Sequence, residues 1–112
     1  MGALIKNFEW KLGFNGEYWV PTEVIYDKAA MVTKVTMGLY KNETLFNEVK
    51  DEPTMRSNNI LARKGAFVFA GTIIEENILL AVHSYIGPTE GLRPGMGGLN
   101  TPDDFFSDAV LI

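Results

Sequence analysis

Polar and apolar residues alternate from Asn7 to Leu12, which sets Phe8, Trp10 and Leu12 on one face of a strand and the charges on the other. Gly13-Phe14-Asn15-Gly16 follows, and its Asn-Gly step tolerates the positive φ angles of a hairpin turn. The aromatic and β-branched run Glu17 to Tyr26 then predicts the returning strand. Pro21 removes a backbone donor from that run, so it predicts an edge strand or two short strands with a kink between them.

Met31 to Tyr40 fits two periods. Met31, Val35 and Leu39 have helical spacing, while Met31, Thr33, Val35, Met37 and Leu39 alternate; the Val and Thr content and Gly38 favour a strand. Asn42 to Lys50 predicts a short helix, with Asn42 as cap, Glu43 at the positive end, Leu45, Phe46 and Val49 as an apolar stripe and Pro53 closing it. Three further apolar runs, Ile60 to Ala62, Ala66 to Ile74 and Asn77 to Ile86, are separated by Arg63-Lys64-Gly65 and Glu75-Glu76. They read as strands, and such short connections require antiparallel neighbours. Ala109 to Ile112 predicts a last short strand within 108–112. The expected fold is a single all-β domain over residues 1–112 with minor α: an antiparallel β-sandwich, jelly roll or barrel carrying one short helix.

Composition narrows the function classes. A chain that is 46% hydrophobic and 21% charged can build its own core. It has no cysteine, hence no disulfide or thiolate metal site. A net charge of -4 argues against nucleic acid as a partner; only Arg56, Arg63 and Lys64 approach a basic cluster, and they read as a solvated turn before a strand. The apolar run Ile78 to Val82 is too short to span a bilayer, and Lys6 and Glu9 interrupt any signal-like core, so no membrane role is expected.

No residue set identifies a reaction. His83 is the single histidine and any imidazole chemistry must use it, but its neighbour Ser84 points to the opposite face of a strand. The acid pairs Asp51-Glu52, Glu75-Glu76 and Asp103-Asp104 each lie beside a predicted turn and match no calcium loop. Asn42-Glu43-Thr44 fits a glycosylation acceptor without a secretory signal to support it. Catalytic residues, metal ligands and cofactors are therefore expected to be none. The alternative is a small ligand-binding barrel or modest enzyme in which His83, Tyr85 and Asp103 or Asp104 converge on a cleft roofed by a lid.

The lid in question is Gly87 to Asp104, with five glycines and three prolines. Gly91, Gly95, Gly97 and Gly98 could cradle an anion through backbone N–H groups, yet the Gly-Lys-Ser/Thr of a P-loop is missing. The segment reads instead as a contact arm, with Arg93, Met96 and Leu99 offering a guanidinium and apolar anchors to a protein partner. Seven of the 13 aromatics fall within the first 40 residues. Tyr18 and Trp19 face opposite ways in a regular strand, which leaves one of them free for a partner, and Trp19 is the candidate. Exposed strand edges offer a further way to pair with a neighbour.

The β run Lys64-Gly65-Ala66-Phe67-Val68-Phe69-Ala70-Gly71-Thr72-Ile73-Ile74, broken by Ala-Gly-Thr in a chain of this size, resembles the small β-rich proteins that decorate or cement the capsids of tailed bacteriophages. The resemblance implies a non-enzymatic virion component: homo-oligomers on the outer capsid surface, bridging coat subunits through many weak repeated contacts. It places the protein in the virion; the alternative reading places it in the cytoplasm.

Overall fold

The computed structural model describes residues 2–73, 75–91 and 101–112. The chain is mostly β with minor α, and every strand pairing is antiparallel. Strands β1 (Leu4–Lys11), β2 (Phe14–Asp27), β3 (Val32–Tyr40) and β4 (Ala62–Ala70) form a meander. Strand β5 (Gly87–Gly91) lies against β4 and pairs with β6 (Thr101–Asp103), while β7 (Val110–Leu111) returns to the opposite edge beside β1. The strand order is β6-β5-β4-β3-β2-β1-β7, one hydrogen-bonded array whose packing layers are helical. Three short helices occur where one was expected: α1 (Glu43–Val49), α2 (Pro53–Asn58) and α3 (Ile78–His83).

Alternation along β3 divides the core in two. Val35, Met37 and Leu39 bury on one face with Trp19, Leu4 and Phe67, under Ile78, Leu79, Val82 and Phe106. Tyr40 buries on the other face with Tyr18 and Val20, under Val49 and Phe46 of α1. The sheet is thus covered on both faces near its centre, with α1 and α2 on one side and α3 with the 105–109 segment on the other.

Several local readings shift for identifiable reasons. The first hairpin turns at Leu12-Gly13, where Gly13 has φ +82° and donates its N–H to the Glu9 carboxylate at 2.8 Å. Asn15 and Gly16 already pair with β1, and Leu12, expected on the core face, is 88% exposed at the turn. β2 is a single 14-residue strand, irregular between Pro21 and Glu23. Residues Arg63-Lys64-Gly65, read as a separating turn, lie inside β4, whose register shifts between the Val35 and Met37 pairs. Lys64 is 1% exposed there, its ammonium 5.5 Å from the Phe105 ring centre. Asn77 to Ile86, read as a strand, contains α3, with Ile78, Leu79 and Val82 turned inward and Leu80 outward. The ends of the Gly/Pro segment are strands, β5 and β6.

The reading of α1 holds: the Asn42 side chain accepts the Leu45 N–H at 2.8 Å, the bond a helix N-cap makes. That bond also gives the glycosylation-like asparagine a structural task. Pro53 opens α2, where the Glu52 carboxylate accepts from Thr54 and Met55. Asn42→Ala is expected to cost about 1 kcal/mol of stability, read as a lower urea midpoint at unchanged slope. An unaltered midpoint would mean that the cap contributes nothing.

Candidate interaction site

β1 pairs with β2 only as far as Leu4 opposite Trp19. From Val20 to Asp27, β2 continues against β3 on one side, and among the described residues no strand pairs with its other side. Pro21 falls within this stretch, at the irregularity that opens the edge half of β2. Gly38 helps to hold the stretch in place: a side-chain carbon at Gly38 would collide with the Thr22 methyl, and Thr22 Oγ1 donates to the Thr36 carbonyl at 3.2 Å.

The result is a notch in the sheet edge. Its inner end is closed by the two chain ends, where the Ile112 N–H donates to the Ala3 carbonyl at 3.0 Å. Its two walls differ. On the face of α1 and α2, the cations Lys50, Arg56 and Arg63 line the cleft with Glu23 and Glu43. On the face of α3 the lining is Ile73, Ile78, Leu79 and Leu80 with Glu76. The cleft is an open groove of ≈ 1390 Å³, above the roughly 300–1,000 Å³ of small-molecule pockets. The rim is apolar and exposed: Val24 45%, Ile25 49%, Leu80 55%, Ile112 53%.

The wall on the side of α1 and α2 carries three cations and two carboxylates. Arg56 donates from its guanidinium to the Lys50 carbonyl at 3.2 Å, and its own carbonyl accepts from the Tyr40 hydroxyl at 3.0 Å. Among the described residues Lys50, Arg56 and Arg63 form no ion pair within 4.0 Å; the two pairs found are Lys6 with Asp108 at 2.6 Å and Lys34 with Asp27 at 3.9 Å. Burial pushes the Tyr40 phenol up from its ordinary 10.0, against the opposing pull of Arg56 and Arg63. Burial, with Glu43 nearby, raises Tyr18 as well. A phenol whose folded pKa is raised stabilises the fold below the unfolded value and loses that contribution as pH rises through the folded one. Stability is therefore expected to fall above about pH 10, and Tyr40→Phe to shrink that fall. Urea titrations at pH 8 and pH 11 read it, and equal losses in both proteins would contradict it.

Arg93, Met96 and Leu99 lie outside the described residues. Trp19, the candidate contact residue, is fully buried and donates its indole N–H to the Lys6 carbonyl at 3.0 Å. Tyr18 is also buried, because helices cover both faces at this level. His83 sits at the end of α3 with Nε2 donating to the Ala109 carbonyl at 2.8 Å, pinning that helix to the chain before β7. Tyr85 packs against Phe67 and Phe69 at 5.2 and 5.3 Å. The cleft chemistry imagined for His83 gains no support from this placement. Among the described residues no group of three His, Cys, Asp or Glu could hold a metal ion, and no helix is long and apolar enough to cross a membrane. Comparison with protein-family models, with curated proteins and with solved structures finds no match to this chain.

Proposed function

We propose that this chain is a non-enzymatic assembly protein, a virion component of the decoration or cement type, acting through repeated protein contacts. The observation that carries the reading is the stretch of β2 from Glu23 to Asp27, which pairs with β3 alone among the described residues and exposes Val24, Ile25 and Tyr26. Such an edge presents a row of backbone donors and acceptors, and soluble proteins protect theirs or use them. Neither Pro21 nor Glu23 closes it, since Val24, Ile25 and Tyr26 follow in line and are all exposed. β7 adds Val110 and Leu111 at the outer edge, 60% and 42% exposed. Surfaces of this kind gain from repetition on a lattice, where weak contacts sum to high avidity. Arg93, Met96 and Leu99 keep their place in this reading as further anchors on the segment between β5 and β6.

The test is molar mass in solution together with His83→Ala. The assembly reading expects a mass that is a multiple of the 12.5 kDa chain and is unaffected by the substitution. A monomer at every concentration that binds a small ligand, and loses it with His83, would replace this reading by a binding barrel.

A further inference from the structure

We infer that the basic end of the groove, at Lys50, Arg56 and Arg63, receives the carboxylate side chains of an acidic segment on the partner protein. The inference rests on the assembly reading and names the chemistry of the partner. Three observations carry it, and none depends on β1.

The first is convergence. Lys50 closes α1, Arg56 lies in α2 and Arg63 in β4, and all three line the same groove. Arg63 pairs with Gly38, which shares a face of β3 with Tyr40, so its side chain stands on the side of α1 and α2. The Arg56 guanidinium is held at the end of α1 by its bond to the Lys50 carbonyl at 3.2 Å. Tyr40 is the point the two arginines share: burial raises its phenol, and Arg56 and Arg63 both pull it back.

The second is the separation of charge along the wall. Glu43 opens α1 and acts on Tyr18, whose phenol it raises further after burial, while Glu23 sits opposite Thr36. Among the described residues no carboxylate lies within 4.0 Å of Lys50, Arg56 or Arg63; the ion pairs found are Lys6 with Asp108 and Lys34 with Asp27. Three unmatched cations in a protein of net charge -4 favour opposite charge brought from outside.

The third is the kind of anion. The backbone N–H groups of Lys50 and Arg56 are spent on Phe46 and Glu52 inside their helices, and the Tyr40 hydroxyl donates to the Arg56 carbonyl at 3.0 Å. The site stands at the C-terminal end of α1, the negative end of a helix. It therefore lacks the backbone cradle that holds a compact phosphate. Its donors are side-chain tips on three separate elements, which separate carboxylates on one flexible segment can meet one by one, with the guanidinium forks pairing bidentately. A nucleic acid would press its phosphates against Glu23 and Glu43 as well.

Hexaglutamate serves as the probe for such a segment, titrated into the intact chain at low salt, about 20 mM, and followed by the amide resonances of Arg56 and Arg63. Arg63→Gln and Lys50→Gln are each expected to weaken binding about threefold. Lys28→Gln, which removes the same charge from the exposed β2–β3 turn, is expected to leave it unchanged. A urea midpoint equal to that of the parent shows that each variant is folded. Equal weakening by all three substitutions would reduce the effect to net charge and overturn the inference. So would inorganic phosphate shifting the same amides while hexaglutamate does not, since the site would then serve a free anion. Either result in a protein whose mass is a multiple of the chain leaves the assembly reading standing. A monomer at every concentration that ignores hexaglutamate would remove both.

Discussion

Trp19→Ala is expected to lower the unfolding free energy by about 3–5 kcal/mol, the range for deleting a large buried aromatic. Trp19 is 0% exposed and joins elements distant in sequence. Its ring lies 6.0 Å from Phe8 of β1, 5.5 Å from Phe105 and 5.1 Å from Phe106. Phe106 in turn meets Phe67 of β4 at 5.6 Å, so one indole links three strands to the segment before β7. Removing it opens a cavity that rigid β neighbours cannot fill, and also frees the Lys6 carbonyl from its indole donor. Against a total of roughly 5–15 kcal/mol for a domain of this kind, that is a large share. Urea unfolding followed by circular dichroism measures it. Leu12→Ala is the control and should stay within about 0.5 kcal/mol; similar losses in the two would mean that the aromatic cluster is not the centre of the core.

Ile25→Glu is expected to weaken self-association on the order of 100-fold while leaving the fold intact. Within one chain Ile25 sits directly opposite Lys34, so the introduced carboxylate gains a cross-strand cation and the hairpin is kept. At the contact proposed for this edge the half-exposed isoleucine would no longer bury and a carboxylate would have to be desolvated, which together removes roughly 3 kcal/mol of association. Sedimentation equilibrium gives the dissociation constant, and the urea midpoint of the variant separates lost association from lost folding. Association equal to that of the parent chain would place the contact elsewhere.

How far the sequence reveals this architecture depends on what each residue had to satisfy. β1 and α1 are legible because each is decided locally: Phe8 and Trp10 alternate with charges, and Asn42 carries the cap that its helix needs. α3 is not, because Ile78-Leu79-Leu80-Ala81-Val82 is apolar throughout and has no period to read. What selects a helix there is the need to set Ile78, Leu79 and Val82 on the Trp19 face of the sheet, a demand made by residues far away in sequence. Lys64 misleads for a related reason. Lysines are seldom buried, so Arg63-Lys64-Gly65 reads as a turn, whereas β4 needs the continuous run and Lys64 finds the Phe105 ring.

The candidate site shows the same division. Pro21 marks an edge, and that signal is local. The basic cluster of Arg56 and Arg63 is also visible in the sequence, but Lys64 leaves it for the interior and Lys50 joins it from α1. That these cations lie beside the free half of β2 follows only from where β1 stops, a matter of register between strands. Strand alternation alone sets one of Tyr18 and Trp19 at the surface, because it cannot tell a sheet covered on one face from a sheet covered on both.

Amide hydrogen exchange across a concentration series tests the central claim most directly, since it locates association on the chain. Protection is expected to rise with concentration at those amides from Glu23 to Asp27 that face away from β3, while the amides of β3 stay as protected as before. Exchange in the outer half of β2 that is the same at every concentration, in a protein that nonetheless associates, would contradict it.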